Sequence, residues 1–339
     1  MLQTGIIFSG LTLAIAFISY IVFPYDQTND TCWQDTISGE GVIKCKPRCK
    51  SGWFGLAGMH SCHAMLRCTD WSDVKIDEED IIGHGLVKKV YKGRWKDFDI
   101  VANKLSDDLY QSDFDHGWRM LTGFQPSPLV VQAVGRCNNT FLSEYHQRQS
   151  ARNIHSVLQD FFKDAATSSE REVATRFNLC INYVEIIHFL HNSPLGVRVM
   201  CDTNDLQKTL DQYLITDDLH LVVNDLDALP EVIRSNGTLV KCGRREVFGE
   251  FAAPEQTWPY ENETFDEERM PPYDEKTDIW KIPDVCNYFL QDVKDSRGIR
   301  LRLLTVHQSC KELHPQFRPT ASEVLQKYRQ IMDSYITWL

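Results

Sequence analysis

Three charged residues spread along this chain, Lys104, Asp202 and Asp225, have one use in common: holding nucleotide phosphates and the metal ion that accompanies them. Two glycines precede them. Gly83 and Gly85 stand between apolar, strand-like residues, where missing side chains let backbone N–H groups come close to phosphate oxygens. Val90 is placed to cover an adenine. Lys104 follows 14 residues later in Val101-Ala102-Asn103-Lys104, as a cation for the α and β phosphates. Lys88 fills the third glycine position of this loop, where it either crowds the phosphates or contacts them itself. Gly117 stands where a helix glutamate would pair with the strand lysine, so Asp113 or Asp115 would have to take that part.

Asp202 is the expected base. A carboxylate there can accept the proton of an attacking hydroxyl, or orient it, although a lone loop aspartate more often caps a turn. Asn204 and Asp205 are rivals for the role. Asp225 follows the apolar run Leu219 to Val223, as a metal-binding carboxylate at a strand end should, and Gln212, 13 residues earlier, is the candidate second oxygen ligand. Asp227 is either a further ligand or a turn residue. Cys201 and Cys242 either bridge two loops or remain free core thiols.

These residues need two kinds of scaffold. From about Lys75 to Tyr145 apolar residues alternate in the strand manner around Val87, Val90, Tyr91 and Ile100-Val101, with a short helix at Phe114, Trp118 and Leu121. Leu142 to His146 reads as a connector. Beyond it, Phe177, Cys180, Ile181, Val184, Ile187 and Leu190 form the stripe of an amphipathic helix, and Thr320-Ala321-Ser322-Glu323 is a capping box opening a last helix buried through Val324, Leu325, Tyr328, Ile331 and Tyr335. The expected fold class is therefore α+β: a small β-rich lobe, residues 76–146, and a mainly helical lobe, residues 147–339.

Composition bounds the function. A chain of 339 residues with 42% hydrophobic content is ordinary for a globular protein, and a formal charge of −11 argues against a nucleic-acid partner. The run Lys88, Lys89, Lys92, Arg94, Lys96 is either a nucleotide-lining face or a solvated one. Residues 5–23 carry no charge, and about 19 residues at about 1.5 Å each span roughly 28 Å, a bilayer core. The expectation is a single transmembrane signal anchor there, after a short tail at 1–4. A cysteine-rich stem, 24–75, follows, stapled through Cys32, Cys45, Cys49, Cys62 and Cys68 by disulfides rather than zinc. Eleven cysteines leave at least one unpaired within the chain. Asn29, Asn138, Asn236 and Asn262 begin glycosylation triplets, which with the stem place the body on the luminal side.

In order and spacing, Gly83-His84-Gly85, Val101 to Lys104, Met200-Cys201-Asp202, Asn224 to Asp227, Ala253-Pro254-Glu255, Asp278-Ile279-Trp280 and Arg318-Pro319-Thr320 resemble the protein-kinase superfamily over roughly three quarters of the chain. Against the superfamily pattern, Met200-Cys201 replaces His-Arg, which removes the cation that reads a phosphorylated activation loop. Ten residues rather than five separate Asp202 from Gln212, enlarging the loop where an acceptor would be recognised. The resemblance implies a two-lobed kinase-like fold, a buried Glu255–Arg318 ion pair, Asp278 ordering the catalytic loop, and Glu144 in the connector joining Gly83, Gly85, Val90, Lys88 and Lys104 around the nucleotide. Val199 to Leu206, Asn224 to Pro230 and Tyr273 to Pro283 are further similar to the protein O-mannose kinases, a divergent secretory-pathway branch. That resemblance implies ATP with Mg²⁺ or Mn²⁺ and a type II protein of the endoplasmic reticulum membrane. The implied acceptor is the mannose 6-hydroxyl in a GalNAc-GlcNAc-mannose trisaccharide on α-dystroglycan. A catalytically dead scaffold and a kinase of protein side chains are the alternatives.

Overall fold

The computed structural model describes residues 30–34, 43–163, 169–201, 203–243, 245–291 and 293–336. A cysteine-rich segment comes first. β1 (Asp30–Gln34) and β2 (Ile43–Pro47) pair antiparallel with Cys32 directly opposite Cys45, and the two are bonded. β3 (Trp53–Phe54) and β4 (His63–Ala64) form a second short pair, with Cys49 bonded to Cys62 nearby. Cys45 and Cys49 thus go to different partners, which leaves no chelating pair for zinc. Too small to bury its own apolar side chains, the segment packs Phe54, Leu56 and Leu66 onto the sheet that follows, and Cys68–Cys137 fastens it there.

That sheet is β5 (Val74–His84), β6 (Lys88–Trp95) and β7 (Phe98–Leu105), then, after helix α1 (Gln111–Gly123), β8 (Ala133–Cys137) and β9 (Thr140–Glu144). Its order is β5-β6-β7-β9-β8, antiparallel throughout. Period-two alternation gives it two different faces. Tyr91, Trp95, Ile100, Ala102 and Leu142 turn outward beneath the cysteine-rich segment. Val90 and Val101 turn towards the second lobe, and Phe141 meets Phe114 of α1 at 5.0 Å between ring centroids.

The second lobe contains α2 (Ile154–Phe162), α3 (Ser169–His191), β10 (Val197–Arg198), α4 (Leu206–Asp211), β11 (Tyr213–Ile215), β12 (Leu221–Val223), β13 (Glu231–Val232), α5 (Lys276–Leu290), α6 (Ser296–Cys310) and α7 (Ala321–Ile336). α3 is its axis. Phe177, Val184 and Ile187 of α3 are fully buried in the main core with Ile282 and Phe289 of α5 and Val324 and Tyr328 of α7. Cys180–Cys286 joins α3 to α5, and Cys310 of α6 is the buried cysteine left unpaired. α7 opens on its capping box: Thr320 N donates to Glu323 Oε2 at 2.7 Å and Glu323 N to Thr320 Oγ1 at 3.3 Å.

Two expectations drawn from the first residues are corrected. The anchor expected over 5–23 lies outside the described residues, and among these no helix is long and apolar enough to cross a membrane. α3, at 23 residues, has the length, but it carries Glu170, Arg171, Glu172, Arg176 and Glu185, each costly to place in hydrocarbon. The fold class is thus a mixed α/β chain with a kinase-like arrangement and no supported membrane span. The single-pass placement in the endoplasmic reticulum membrane, which depended on that span, is withdrawn with it.

Candidate active site

A cleft of about 1080 Å³ separates the lobes. Its roof is the β5–β6 hairpin. Gly83 stands opposite Val90, where an added Cβ would press to 3.3 Å from the Val90 Cβ, and Gly85 N donates to Lys88 O at 2.9 Å to close the turn. Val101 continues the roof, Tyr145 and His146 form the connector wall, and Gln212, Leu214, Asn224, Asp225 and Asp227 form the floor.

Lys88 spans the cleft. It shares the face of Val90, two residues on, and its Nζ meets Asp225 Oδ1 and, at 2.8 Å, Asp227 Oδ2. Burial works against its charge, but the two aspartates outweigh burial and hold it protonated well above the ordinary lysine value. Burial also acts on the carboxyls. Lys88 nonetheless keeps Asp225 below its usual value, whereas burial and the neighbouring Asp225 push Asp227 up to about 6.

Lys104 points the other way. β6 and β7 pair Lys89 with Lys104 and Val90 with Asn103, so Val101 and Asn103 face the cleft while Ala102 and Lys104 face outward. Lys104 Nζ binds Glu78 Oε1 at 2.5 Å and lies 5.2 Å from the centroid of the Tyr91 ring. On that strand face the buried Asn103 stands where the lysine was expected, donating through Nδ2 to Ser143 Oγ at 3.1 Å. The signal was available, because Lys88 and Val90 are in phase, but the spelling Val-Ala-x-Lys does not reveal which strand face it serves.

The helix contribution differs as well. A Cβ on Gly117 would sit 3.2 Å from the Cβ of Asp227, so α1 lies directly on the turn that carries Asp227 and has no room for a glutamate. Asp115 is engaged by Arg136, and Asp113 lines the cleft. Glu144 is not turned to a nucleotide. Its carboxylate receives Lys46 Nζ at 2.9 and 3.0 Å; burial pushes it up, while Lys46 and His146 bring it below the usual carboxylate value.

Asp202 lies outside the described residues, but its neighbours are fixed on several sides. Met200 N donates to Asp278 Oδ2 at 3.2 Å, and His191 Nε2 lies 3.1 Å from the same oxygen. Cys201 N donates to Ala228 O at 3.1 Å, and Cys201 is bonded to Cys242. Thr203 Oγ1 donates to Met200 O at 2.7 Å and receives the Nζ of Lys281. Lys281 is fully buried, and burial brings it down to about 8. Sequence reasoning passed over Lys281, although it sits one helical turn after Asp278 among buried apolar positions of α5. Asp205 caps α4, its Oδ1 accepting from Lys208 N at 2.8 Å. Gln212 is buried beneath the cleft with its Nε2 donated to Lys208 O at 3.1 Å, which leaves its Oε1 as the atom of ligand type.

The remaining expected groups are peripheral. Arg318 forks onto Glu255 at 2.5 and 2.8 Å, its guanidinium 4.9 Å from the centroid of the Trp280 ring. Asn138, Asn236 and Asn262 are exposed, and Asn29 lies outside the described residues. Among the described residues no three His, Cys, Asp or Glu side chains cluster to hold a metal by themselves. Asp225, Asp227 and the Gln212 amide are hard oxygen donors lining one floor. They suit a divalent cation that brings phosphate oxygens with it.

A β-roofed lobe over a helical lobe, with a lysine from the roof meeting aspartates on the floor, defines a kinase-class phosphotransferase that acts on a hydroxyl group. No family model matches the sequence. Whole-chain comparison does find relatives. The protein O-mannose kinase of Gallus gallus is 46% identical over 291 residues, 85% of this chain and 81% of that protein. The Xenopus laevis protein of the same name is 43% identical over 287 residues, 84% of this chain and 80% of its own. The Homo sapiens one is 41% identical over 292 residues, 84% and 81% respectively. The chain belongs to the protein O-mannose kinase family.

Proposed function

We propose that this chain transfers the γ-phosphoryl group of ATP to the 6-hydroxyl of O-linked mannose within a GalNAc-GlcNAc-mannose trisaccharide on α-dystroglycan. One observation carries the site: Lys88 meets Asp225 and Asp227 across the cleft, in a chain 41–46% identical to proteins named for O-mannose. The trisaccharide and its carrier rest on the resemblance of residues 199–206, 224–230 and 273–283 to that family.

In this reading Gly83 and Gly85 let the hairpin backbone approach the phosphates, and Val90 and Val101 cover the base. Lys88 moves from its aspartates onto the phosphates, a short step because both lie in one cleft. Asp225, Asp227 and Gln212 would hold the cation, Mg²⁺ or Mn²⁺. When bound, the cation neutralises charge on the β and γ oxygens. Asp202 accepts the proton as the mannose oxygen bonds to the γ phosphorus. The bond from that phosphorus to the bridging oxygen breaks, and ADP leaves with the electron pair. Cys201, bonded to Cys242, fixes this loop to the loop that carries Cys242 without any phosphorylated residue.

Labelled ATP offered with the trisaccharide glycopeptide, with a singly O-mannosylated peptide and with a casein-like protein tests the acceptor. Label is expected on the mannose of the trisaccharide alone. Labelled protein side chains without sugar phosphate would contradict the reading.

A further inference from the structure

Among the contacts of the cysteine-rich segment with the sheet, one is a charge pair at the start of the cleft connector. Lys46 of β2 places its Nζ 2.9 and 3.0 Å from the two carboxylate oxygens of Glu144, the last residue of β9, and Tyr145 and His146, which line the cleft, come next. Glu144 is nearly buried, with 10% of its side chain exposed, against 30% for Lys46. Its Oε2 is also 3.6 Å from His146 Nε2.

Lys46 itself is held firmly. Its neighbour Cys45 is bonded to Cys32 and accepts from Gly58 N at 2.9 Å. Gly55 lies so close to Pro47 that an added Cβ would be 2.8 Å from the Pro47 oxygen, and Gly55 N donates to Gln132 Oε1 at 3.0 Å. Gln132 O in turn accepts from Glu144 N at 2.9 Å. The segment therefore grips Glu144 by its carboxylate directly and by its backbone through Gln132. A sheet–segment contact needed only for stability could be apolar, as the packing of Phe54, Leu56 and Leu66 on the sheet is. A charge pair at the start of the connector instead fixes a position.

We infer that Lys46 is a positioning residue for the nucleotide: the cysteine-rich segment sets the connector through the Lys46–Glu144 pair, so that Tyr145 and His146 meet the base in register. The inference rests on the nucleotide occupying the cleft as proposed above. Loss of the pair loosens the connector without touching the phosphate-handling groups, so it weakens ATP binding and spares turnover.

Steady-state kinetics on the whole chain tests this. Lys46→Ala should raise the KM for ATP about 5-fold, with kcat and the acceptor KM within about 2-fold of wild type. Lys46→Arg should keep the wild-type KM. The charge exchange Lys46→Glu with Glu144→Lys should recover most of what either single change loses. An unchanged ATP KM in Lys46→Ala, a loss confined to kcat, or no recovery in the exchange would each overturn the inference. Val90→Trp, which fills the cleft, separates the two levels. If it abolishes ATP binding while Lys46→Ala leaves KM unchanged, the inference alone fails; if it leaves ATP binding intact, the cleft reading fails and the inference with it.

Discussion

Lys88, from the roof strand β6, reaches Asp227 on the floor at 2.8 Å and makes the same contact with Asp225, so one cation closes both lobes over the cleft. Two carboxylates so close together and buried are stable only with such a partner. In the proposed reading Asp225 and Asp227 receive the cation, and the lysine most easily given up to phosphate is the one already there.

The pair has a pH consequence. Burial and Asp225 hold Asp227 up to about 6, so it is ionised above that pH and neutral below it. Neutral Asp227 attracts neither Lys88 nor a cation, and affinity for ATP with Mg²⁺ should weaken as pH falls through about 6. In stability the sign is opposite. A carboxyl raised above its ordinary value of 3.8 destabilises the fold above about 6, and the penalty is relieved as pH falls towards 3.8. Calorimetric titration of wild type and Asp227→Asn checks the first statement: the ratio of their affinities should shrink in acid. An equal pH dependence in both proteins would remove Asp227 from the site.

Gly117 is a packing requirement rather than a lost glutamate. With a Cβ at 3.2 Å from Asp227, Gly117→Ala must push α1 off the turn that carries Asp227, costing about 1–3 kcal/mol and lowering turnover. Gly117→Glu should be worse. Denaturant unfolding and initial rates check both; a more active Gly117→Glu enzyme would mean that the superfamily ion pair is merely missing.

Cys201–Cys242 covalently joins the catalytic loop to the segment that, with an arginine at 201, a phosphorylated residue would have ordered. Replacing both cysteines by serine should cost about 2–4 kcal/mol and lower kcat more than KM, because the loop next to Asp202 loses its tie. Phosphatase treatment of the wild type should change nothing. Turnover that survives the serine pair but not phosphatase would reverse the assignment.

Much of this was legible in the chain because strong local rules agreed. The capping box at Thr320 and the stripe of α3 follow from spacing and residue type, and the Glu255–Arg318 pair and the hold of Asp278 on the catalytic loop are what the superfamily resemblance implied. What stayed hidden depended on strand phase and on contacts far apart in sequence. A slip of one residue between motif spelling and sheet face moves Lys104 outside and Asn103 inside, and only the β6–β7 register decides it. Glu144 looked like a connector residue open to nucleotide. Its partner Lys46 lies 98 residues earlier, in a segment that sequence reading treated as a stem. The partner of Lys281 was hidden for the same reason, since Thr203 lies 78 residues away.

The central claim is that Lys88, and not Lys104, handles the phosphates. Phosphoryl transfer by Lys88→Met and Lys104→Met, each with its ATP affinity measured, tests it most directly. Lys88→Met should lose at least about 100-fold in kcat/KM for ATP, and Lys104→Met, which breaks contacts with Glu78 and the Tyr91 ring on the outer face, should stay within about 2-fold of wild type. A dead Lys104→Met beside an active Lys88→Met would contradict the account.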